Sequence, residues 1–132
     1  MLYSEHITFP YGQTENTATR LHFRVNRGVI NFVWIIFPPG CAGLVKVRLY
    51  QEGHPFLPSQ KDEFIRGDAY TFKIPVMYEV KGAPEQMTIE GWNEDDTYDH
   101  SIDFMFLVLP KWVTWPAYAL STMFERLIAL FK

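Results

Sequence analysis

Short segments in which apolar and polar residues alternate set the strongest limit on how this chain can fold. In Thr19 to Asn26, Leu21, Phe23 and Val25 alternate with arginine and histidine, and successive side chains of a β-strand point to opposite faces. Such segments recur with turn residues between them at intervals of about 8 to 12 residues, a spacing typical of sandwiches and barrels. The sequence therefore predicts an all-β fold, an antiparallel β-sandwich of jelly-roll or immunoglobulin-like type.

Eight segments carry the strand pattern, and we expect about eight strands. They are Tyr3 to Phe9, Thr19 to Asn26, Val29 to Phe37, Leu44 to Tyr50, Phe64 to Arg66, Tyr70 to Val80, Gln86 to Trp92 and Ser101 to Leu109. The third is apolar on both faces, as in a central strand covered on both sides. Pro75 cannot donate to a ladder, so its strand is expected at an edge or a bulge. We expect Gly53 to Asp62 to cross between sheets, and the last two strands to form a hairpin around an acidic loop, Asn93 to His100.

The end of the chain has a helical pattern instead. Apolar residues recur there on one face of a helix: Leu120, Met123, Phe124, Leu127, Ile128 and Phe131. Pro116 suits the first helical position, while Thr122 and Glu125 have capping-box spacing and would start a shorter helix. The sequence thus predicts a sandwich domain over 1–110 and a C-terminal amphipathic α-helix or docking segment over 111–132.

This helix has three possible roles. The last strand is apolar on its second face as well, through Met105, Leu107 and Leu109, and the helix is a candidate to cover it or to dock on a neighbouring subunit. A membrane span needs about 20 apolar residues, whereas charged Lys111 and Glu125 interrupt this segment. A peripheral membrane anchor stays an alternative.

Charge is unevenly distributed along the chain. The net charge of −3 gives no general attraction to nucleic acid, so no nucleic-acid partner is expected. All charged residues from Asn16 to Gln51 are basic, and those from Glu79 to Asp103 are acidic except Lys81. Four basic residues fall at outward strand positions and are predicted to bind an acidic protein surface: Arg20, Arg24, Lys46 and Arg48.

The acidic loop and several aromatic rings outside the strand pattern are candidate sites for small ligands. Clustered carboxylates suit calcium, and the candidate ligands are Asp95, Asp96 and Asp99. A solvated loop explains the same residues without a metal, so no metal is required. Sugar stacking on exposed rings is an analogy of fold. The rings least explained by strand pattern are Trp92, Tyr98, Trp112 and Trp115.

Catalytic motifs are missing from the sequence. It has no nucleophile elbow, phosphate loop or HExxH motif, so we expect no enzyme and no cofactor. Cys41 is the single cysteine and is expected to be a buried, inert thiol. Gly67 and Asp68, within an Arg-Gly-Asp tripeptide, are explained by a turn. Met1 to His6 lacks the basic and apolar regions of a signal peptide, which favours synthesis in the cytoplasm.

Two segments, Phe37 to Val45 (FPPGCAGLV) and Gly91 to His100 (GWNEDDTYDH), resemble parts of small, largely uncharacterised β-sandwich proteins of tailed bacteriophages. The resemblance implies a virion protein made in the host cytoplasm, and it names no site residue. We therefore expect a capsid decoration or head and tail accessory protein that binds other protein subunits, as a homo-oligomer or on the capsid. The alternatives are a carbohydrate-binding or host-adhesion module and a peripheral membrane protein held by the C-terminal helix.

Overall fold

A computed structural model describes residues 1–81, 84–111 and 123–130. Its strands form two antiparallel sheets, and the predicted all-β sandwich is confirmed. The strands are β1 (Leu2–Phe9), β2 (Thr19–Val25), β3 (Gly28–Phe37), β4 (Val45–Gln51), β5 (His54–Leu57), β6 (Ile65–Arg66), β7 (Tyr70–Val80), β8 (Glu85–Asn93) and β9 (His100–Leu109), with a short 3-10 helix at Glu15–Thr17. Sheet 1 has the order β1-β9-β3-β7, and sheet 2 has the order β2-β8-β4-β5, with β6 also paired to β4.

The strand pairing is nested, and this decides between the two sandwich types. Strand β1 pairs with β9, β2 with β8, β3 with β7 and β4 with β5. This order results when one long two-stranded ribbon wraps around a core, the arrangement of a jelly roll. Further pairing of β9 with β3 and of β8 with β4 completes each sheet.

The core lies between the sheets and is built from alternate residues of each strand. In β9, Ile102, Phe104, Phe106 and Val108 are buried, while the residues between them are half-buried. Burial of an apolar side chain of this size contributes about 1.5–3 kcal/mol. The core cluster draws on both sheets, and among the described residues it includes none from the helix at 123–130.

Two expectations about connections are wrong. The segment Gly53 to Asp62 does not cross between sheets, because it contains β5, which returns to pair with β4. Strands β8 and β9 lie in different sheets, so the acidic loop Asn93 to His100 joins the sheets and does not close a hairpin. A hairpin loop and an inter-sheet loop have the same turn residues and flanking alternation, so the sequence pattern does not separate them.

The expectation for Pro75 is confirmed in both of its forms. Strand β7 is an edge strand of sheet 1, and Pro75 lies opposite Phe32, where the register shifts between Ile30 and Phe32. Met77 nearby has a φ of 49°, a left-handed conformation uncommon for a residue with a side chain. The bulge lets a residue without an amide hydrogen sit in the strand.

Residues 123–130 form the described part of the C-terminal helix, and each of them is exposed. The helix therefore does not pack back on the sandwich through these residues. Within the described part of the chain, no helix is long and apolar enough to cross a membrane. Several predicted residues lie outside the described ones: Trp112, Trp115, Pro116, Leu120, Thr122 and Phe131.

Candidate protein interaction surfaces

The outer face of sheet 2 brings together the basic residues named from the sequence. Arg20 and Arg48 lie on either side of Glu90 in the strand register. The Glu90 carboxylate accepts hydrogen bonds from Arg20 Nε at 2.6 Å and Arg48 Nε at 2.7 Å, although the residue is only 4% exposed. Arg48 also reaches Glu15 at 3.1 Å. A buried carboxylate needs such partners because removal from water disfavours an unpaired charge.

A second ion pair continues the same face. Lys46 Nζ donates to Glu94 Oε1 at 2.8 Å, and Trp92 Nε1 donates to the same oxygen at 3.1 Å. The bond from Lys46 is the main reason why the pKa of Glu94 is lowered. The cations also lie over rings: Lys46 is 4.7 Å from the centre of Phe64, and Arg48 is 5.1 Å from that of Trp92. Trp92 is only 3% exposed, so its prediction as a sugar-stacking ring is wrong.

The outer face of sheet 2 is therefore not a free basic patch. Three of the four predicted residues are paired with acids of the same chain. The basic and acidic residues that are far apart in the sequence are therefore neighbours in the fold. Arg24 lies on this face opposite Gln86 and has no ion-pair partner among the described residues. That these four residues bind a partner stays a prediction, and an acidic partner would have to compete with the internal pairs.

The acidic loop is organised by contacts within itself. Asp95 Oδ1 accepts hydrogen bonds from the backbone N–H groups of Thr97 at 2.9 Å and Tyr98 at 3.3 Å. Asp95 Oδ2 lies 2.8 Å from His100 Nε2. These contacts, that with His100 foremost, lower the pKa of Asp95. The carboxylate thus stabilises the inter-sheet connection.

The other carboxylates of the loop have separate partners. Asp96 accepts a hydrogen bond from the Thr97 hydroxyl at 2.9 Å, and Asp99 accepts one from the Tyr11 backbone N–H at 2.9 Å. Among the described residues, no three His, Cys, Asp or Glu side chains are grouped so that they could hold a metal ion. The calcium hypothesis therefore rests on sequence composition alone. Four rings were proposed for sugar stacking, and two of them, Trp92 and Tyr98, are described. Of these two, Tyr98 is the exposed one.

The outer face of sheet 1 has the opposite character, because it is apolar. Its centre is formed by Phe32, Trp34 and Ile36 of β3 and by Met105 and Leu107 of β9, all half-buried. Phe32 lies opposite Leu107, and Trp34 lies opposite Met105. These residues form a continuous apolar surface across the two central strands.

The apolar surface extends to both edges of sheet 1. Leu2 of β1 lies beside Leu107, and Met77 lies in β7 at the other edge. Both are more than half exposed. Soluble monomers rarely expose large contiguous apolar patches, so a surface of this kind indicates a contact site. The apolar second faces of β3 and β9 are visible in the sequence. Leu2 and Met77 are not, because the outer faces of their strands also carry polar residues such as His6 and Lys73.

The C-terminal segment begins at one end of this apolar surface. Leu109, Val29 and Glu79 form a row across β9, β3 and β7. Lys111 Nζ lies 3.0 Å from Glu79 Oε1, so its side chain reaches from the end of β9 past β3 to the edge strand. Val29 is buried although it faces outward. The Lys111 side chain therefore lies on the apolar side of sheet 1.

The Arg-Gly-Asp tripeptide has a structural role. Asp68 Oδ1 accepts hydrogen bonds from the backbone N–H groups of Gly40 at 2.9 Å and Ala42 at 3.1 Å. A Cβ atom on Gly67 would lie 3.1 Å from the Phe72 ring, so the turn also packs closely. These contacts agree with the interpretation of the tripeptide as a turn.

One histidine–carboxylate pair lies on the open surface of β1 and β9. His6 Nδ1 is 2.5 Å from Asp103 Oδ1, and the hydroxyls of Thr8 and Ser101 bond to each other at 2.8 Å in the next row. Within the described part of the chain, no hydrogen bond joins His6 to either hydroxyl. Activation of a hydroxyl nucleophile needs a contact of that kind.

Comparison with known proteins provides no family for this chain. No family model matches it, and neither does any curated protein. A crystal structure of FLHE is similar with a TM-score of 0.39 and 9% identity, covering 80% of this chain and 94% of that one. A crystal structure of PirA has a TM-score of 0.38 and 11% identity, with the same coverage. Similarity at this level carries no inference about function.

Proposed function

We propose that this chain is a non-enzymatic assembly protein that associates with further copies of itself through its C-terminal helix. The observation that carries the proposal is the exposure of the apolar side of the helix. Phe124 is 64% exposed and Leu127 is 50% exposed, with Met123 and Ile128 also exposed beside them. The sandwich core is complete without these residues, so the helix is available for a contact outside its own domain.

The physical chemistry of a short helix supports this proposal. An isolated helix of fewer than about 12 residues is marginal in water, and packing of its apolar face supplies most of its stability in proteins. Full burial of one Leu, Ile, Phe or Met side chain contributes about 1.5–3 kcal/mol. A surface that covers Met123, Phe124, Leu127 and Ile128 would therefore stabilise both the helix and the complex.

A protein surface is favoured over a membrane or a sugar as the partner. Helices that lie on anionic membranes carry several Lys or Arg residues on the polar face, whereas the described polar face has one acid, Glu125, and one base, Arg126. For sugar stacking, Trp92 is buried, and among described residues Tyr98 is the remaining candidate ring. A virion component remains the setting we propose, on the resemblance of the sequence to phage proteins.

The test is a charge placed on the apolar side of the helix. Leu127→Asp should weaken self-association at least about 30-fold, the effect of losing a contact of about 2 kcal/mol at an interface. Light scattering over a range of protein concentrations measures the change, and circular dichroism checks that the sandwich is intact.

Ala129→Asp is the matched control. At 100° per residue it lies about 200° around the helix from Leu127, on the polar side. It adds the same charge and should change association less than about threefold, because surface substitutions outside a contact have small effects. Equal association of Leu127→Asp and wild type, or a wild-type monomer at every concentration, would overturn the proposed function.

A further inference from the structure

We infer that the C-terminal helix of one copy seats on the outer face of sheet 1 of a second copy, and that the exchange is reciprocal. This inference rests on the proposed function, since it names the surface that receives the helix. The receiving surface is the apolar one formed by Phe32, Trp34, Ile36, Met105 and Leu107. The occupant is the helix at 123–130, which is exposed along its described length.

The dimensions of the two surfaces match. Strands β9, β3 and β7 are neighbours, and two strand spacings of about 4.8 Å make a strip about 10 Å wide. A helix with its side chains is about 10–12 Å across. Eight helical residues are about 12 Å long, while Phe32 to Ile36 spans about 13 Å along β3. One helix lying along the strands would therefore cover the central apolar residues.

The charges at the two sides of the strip agree with this arrangement. Glu125 and Arg126 lie on opposite sides of the helix axis when its apolar face is turned to a surface, because they are 100° apart on the polar side. Lys73 lies on the outer face of the edge strand β7, and Asp103 lies on β9 beside His6. In one of its two directions along the strands, the helix brings Glu125 towards Lys73 and Arg126 towards Asp103. The charges thus select a direction for the helix.

A second copy is favoured over the same chain as the receiver. In the single chain, Leu127 and Ile128 are exposed, so the helix is not seated on its own sheet. Lys111 fixes the start of the C-terminal segment at the end of the apolar face. A chain of 11 residues, the number between Lys111 and the helix, spans at most about 36–40 Å, which is the upper limit on the distance between Lys111 and the receiving surface.

Reciprocal exchange also makes the contact stronger than a single docked helix. A two-fold symmetric interface uses the same surface on both copies, so each dimer contains two helix contacts. Both contacts are formed at the cost of one loss of translational and rotational freedom. The dimer closes on itself and leaves neither apolar surface exposed.

Cross-linking between two singly substituted proteins tests the inference. One variant carries Ile128→Cys in the helix, and the other carries Met105→Cys in the centre of the face. The wild type is the control, because its single cysteine, Cys41, is buried. With a short bismaleimide, the mixed sample should give the cross-linked heterodimer as its main product. Adding Leu127→Asp to both variants should strongly reduce that product, because each dimer contains two helix contacts. Such a reduction excludes random collision.

Other cross-linking results would distinguish failure of the helix-on-sheet contact from failure of self-association through the helix. A dimer of the Ile128→Cys variant alone, with no heterodimer in the mixture, would mean that helices pair with each other; this would overturn the inference and leave the proposed function standing. Cross-linking within one chain of the double variant Met105→Cys and Ile128→Cys would mean that the helix seats on its own sheet. That result, with a monomeric wild type in light scattering, would overturn both.

Discussion

Phe104→Ala should lower the free energy of unfolding by about 3–5 kcal/mol, whereas Met105→Ala should lower it by about 1 kcal/mol. The two residues are neighbours on β9 but face opposite ways. Phe104 is fully buried between the sheets, so its removal leaves a cavity that the core cannot close completely. Met105 is half-buried on the apolar outer face. Urea denaturation at low protein concentration, where the chain is monomeric, measures both values.

The comparison also tests whether the outer face of sheet 1 is open in the single chain. At concentrations where the protein associates, Met105→Ala should lower the free energy of unfolding by a larger amount, because association stabilises the folded state by a term that grows with the logarithm of concentration over dissociation constant. The decrease in the free energy of unfolding caused by Phe104→Ala should depend less on protein concentration. If Met105→Ala and Phe104→Ala lower the free energy of unfolding equally at low concentration, the outer face of sheet 1 is already covered in the monomer.

Glu90→Ala is expected to destabilise the chain by about 3 kcal/mol, the effect of removing one partner from a buried ion pair. The carboxylate is shared by Arg20 and Arg48, and the Arg48 side chain is only 12% exposed. Without Glu90, the positive charge of Arg48 remains in a poorly hydrated position. Thermal or urea unfolding measures the loss.

Glu15→Ala is the matched control because Glu15 contacts the same arginine. Its side chain is 58% exposed, and an exposed ion pair contributes at most about 1 kcal/mol. The difference between the two variants thus isolates the effect of burial. If Glu90→Ala and Glu15→Ala lower the free energy of unfolding by the same small amount, the ion pairs on the outer face of sheet 2 are solvated. Their charges are then free to bind a partner.

Much of the fold could be predicted because strand periodicity is a local property. The alternation of Leu21, Phe23 and Val25 predicts a strand and its buried side, and the structure places these residues on the inner face. Strand β5 was missed because His54–Leu57 has only four residues, with a proline among them. A strand that short shows little periodicity.

Pairing could not be predicted, because it joins residues far apart in the sequence. Arg20 lies opposite Glu90, 70 positions away, and nothing near either residue indicates the other. For the same reason, the basic half and the acidic half of the chain appeared separate in the sequence, although the jelly roll brings them together on sheet 2. The choice between a jelly roll and an immunoglobulin-like sandwich likewise depends on pairing alone.

The candidate docking site was partly visible in the sequence. The helical period of Met123, Phe124, Leu127 and Ile128 predicted an amphipathic helix, and residues 123–130 are helical. The apolar second face of β9 also predicted that another element would pack on the outer face of this strand. The sequence could not show whether the helix packs on the sheet of its own chain or on that of a neighbour, because both arrangements require the same pattern of apolar residues.

The mass of the wild-type protein at low and high salt tests the central claim most directly. Light scattering over a concentration series should show a monomer in equilibrium with a dimer. Most of the association should persist at about 1 M salt, where the screening length is about 3 Å, because the proposed contact is mainly apolar and the charges of sheet 2 are paired within the chain. Screening removes only the small contribution of the exposed pairs at the sides of the helix. A monomer at every concentration, or a dimer that dissociates as salt is raised, would contradict this account.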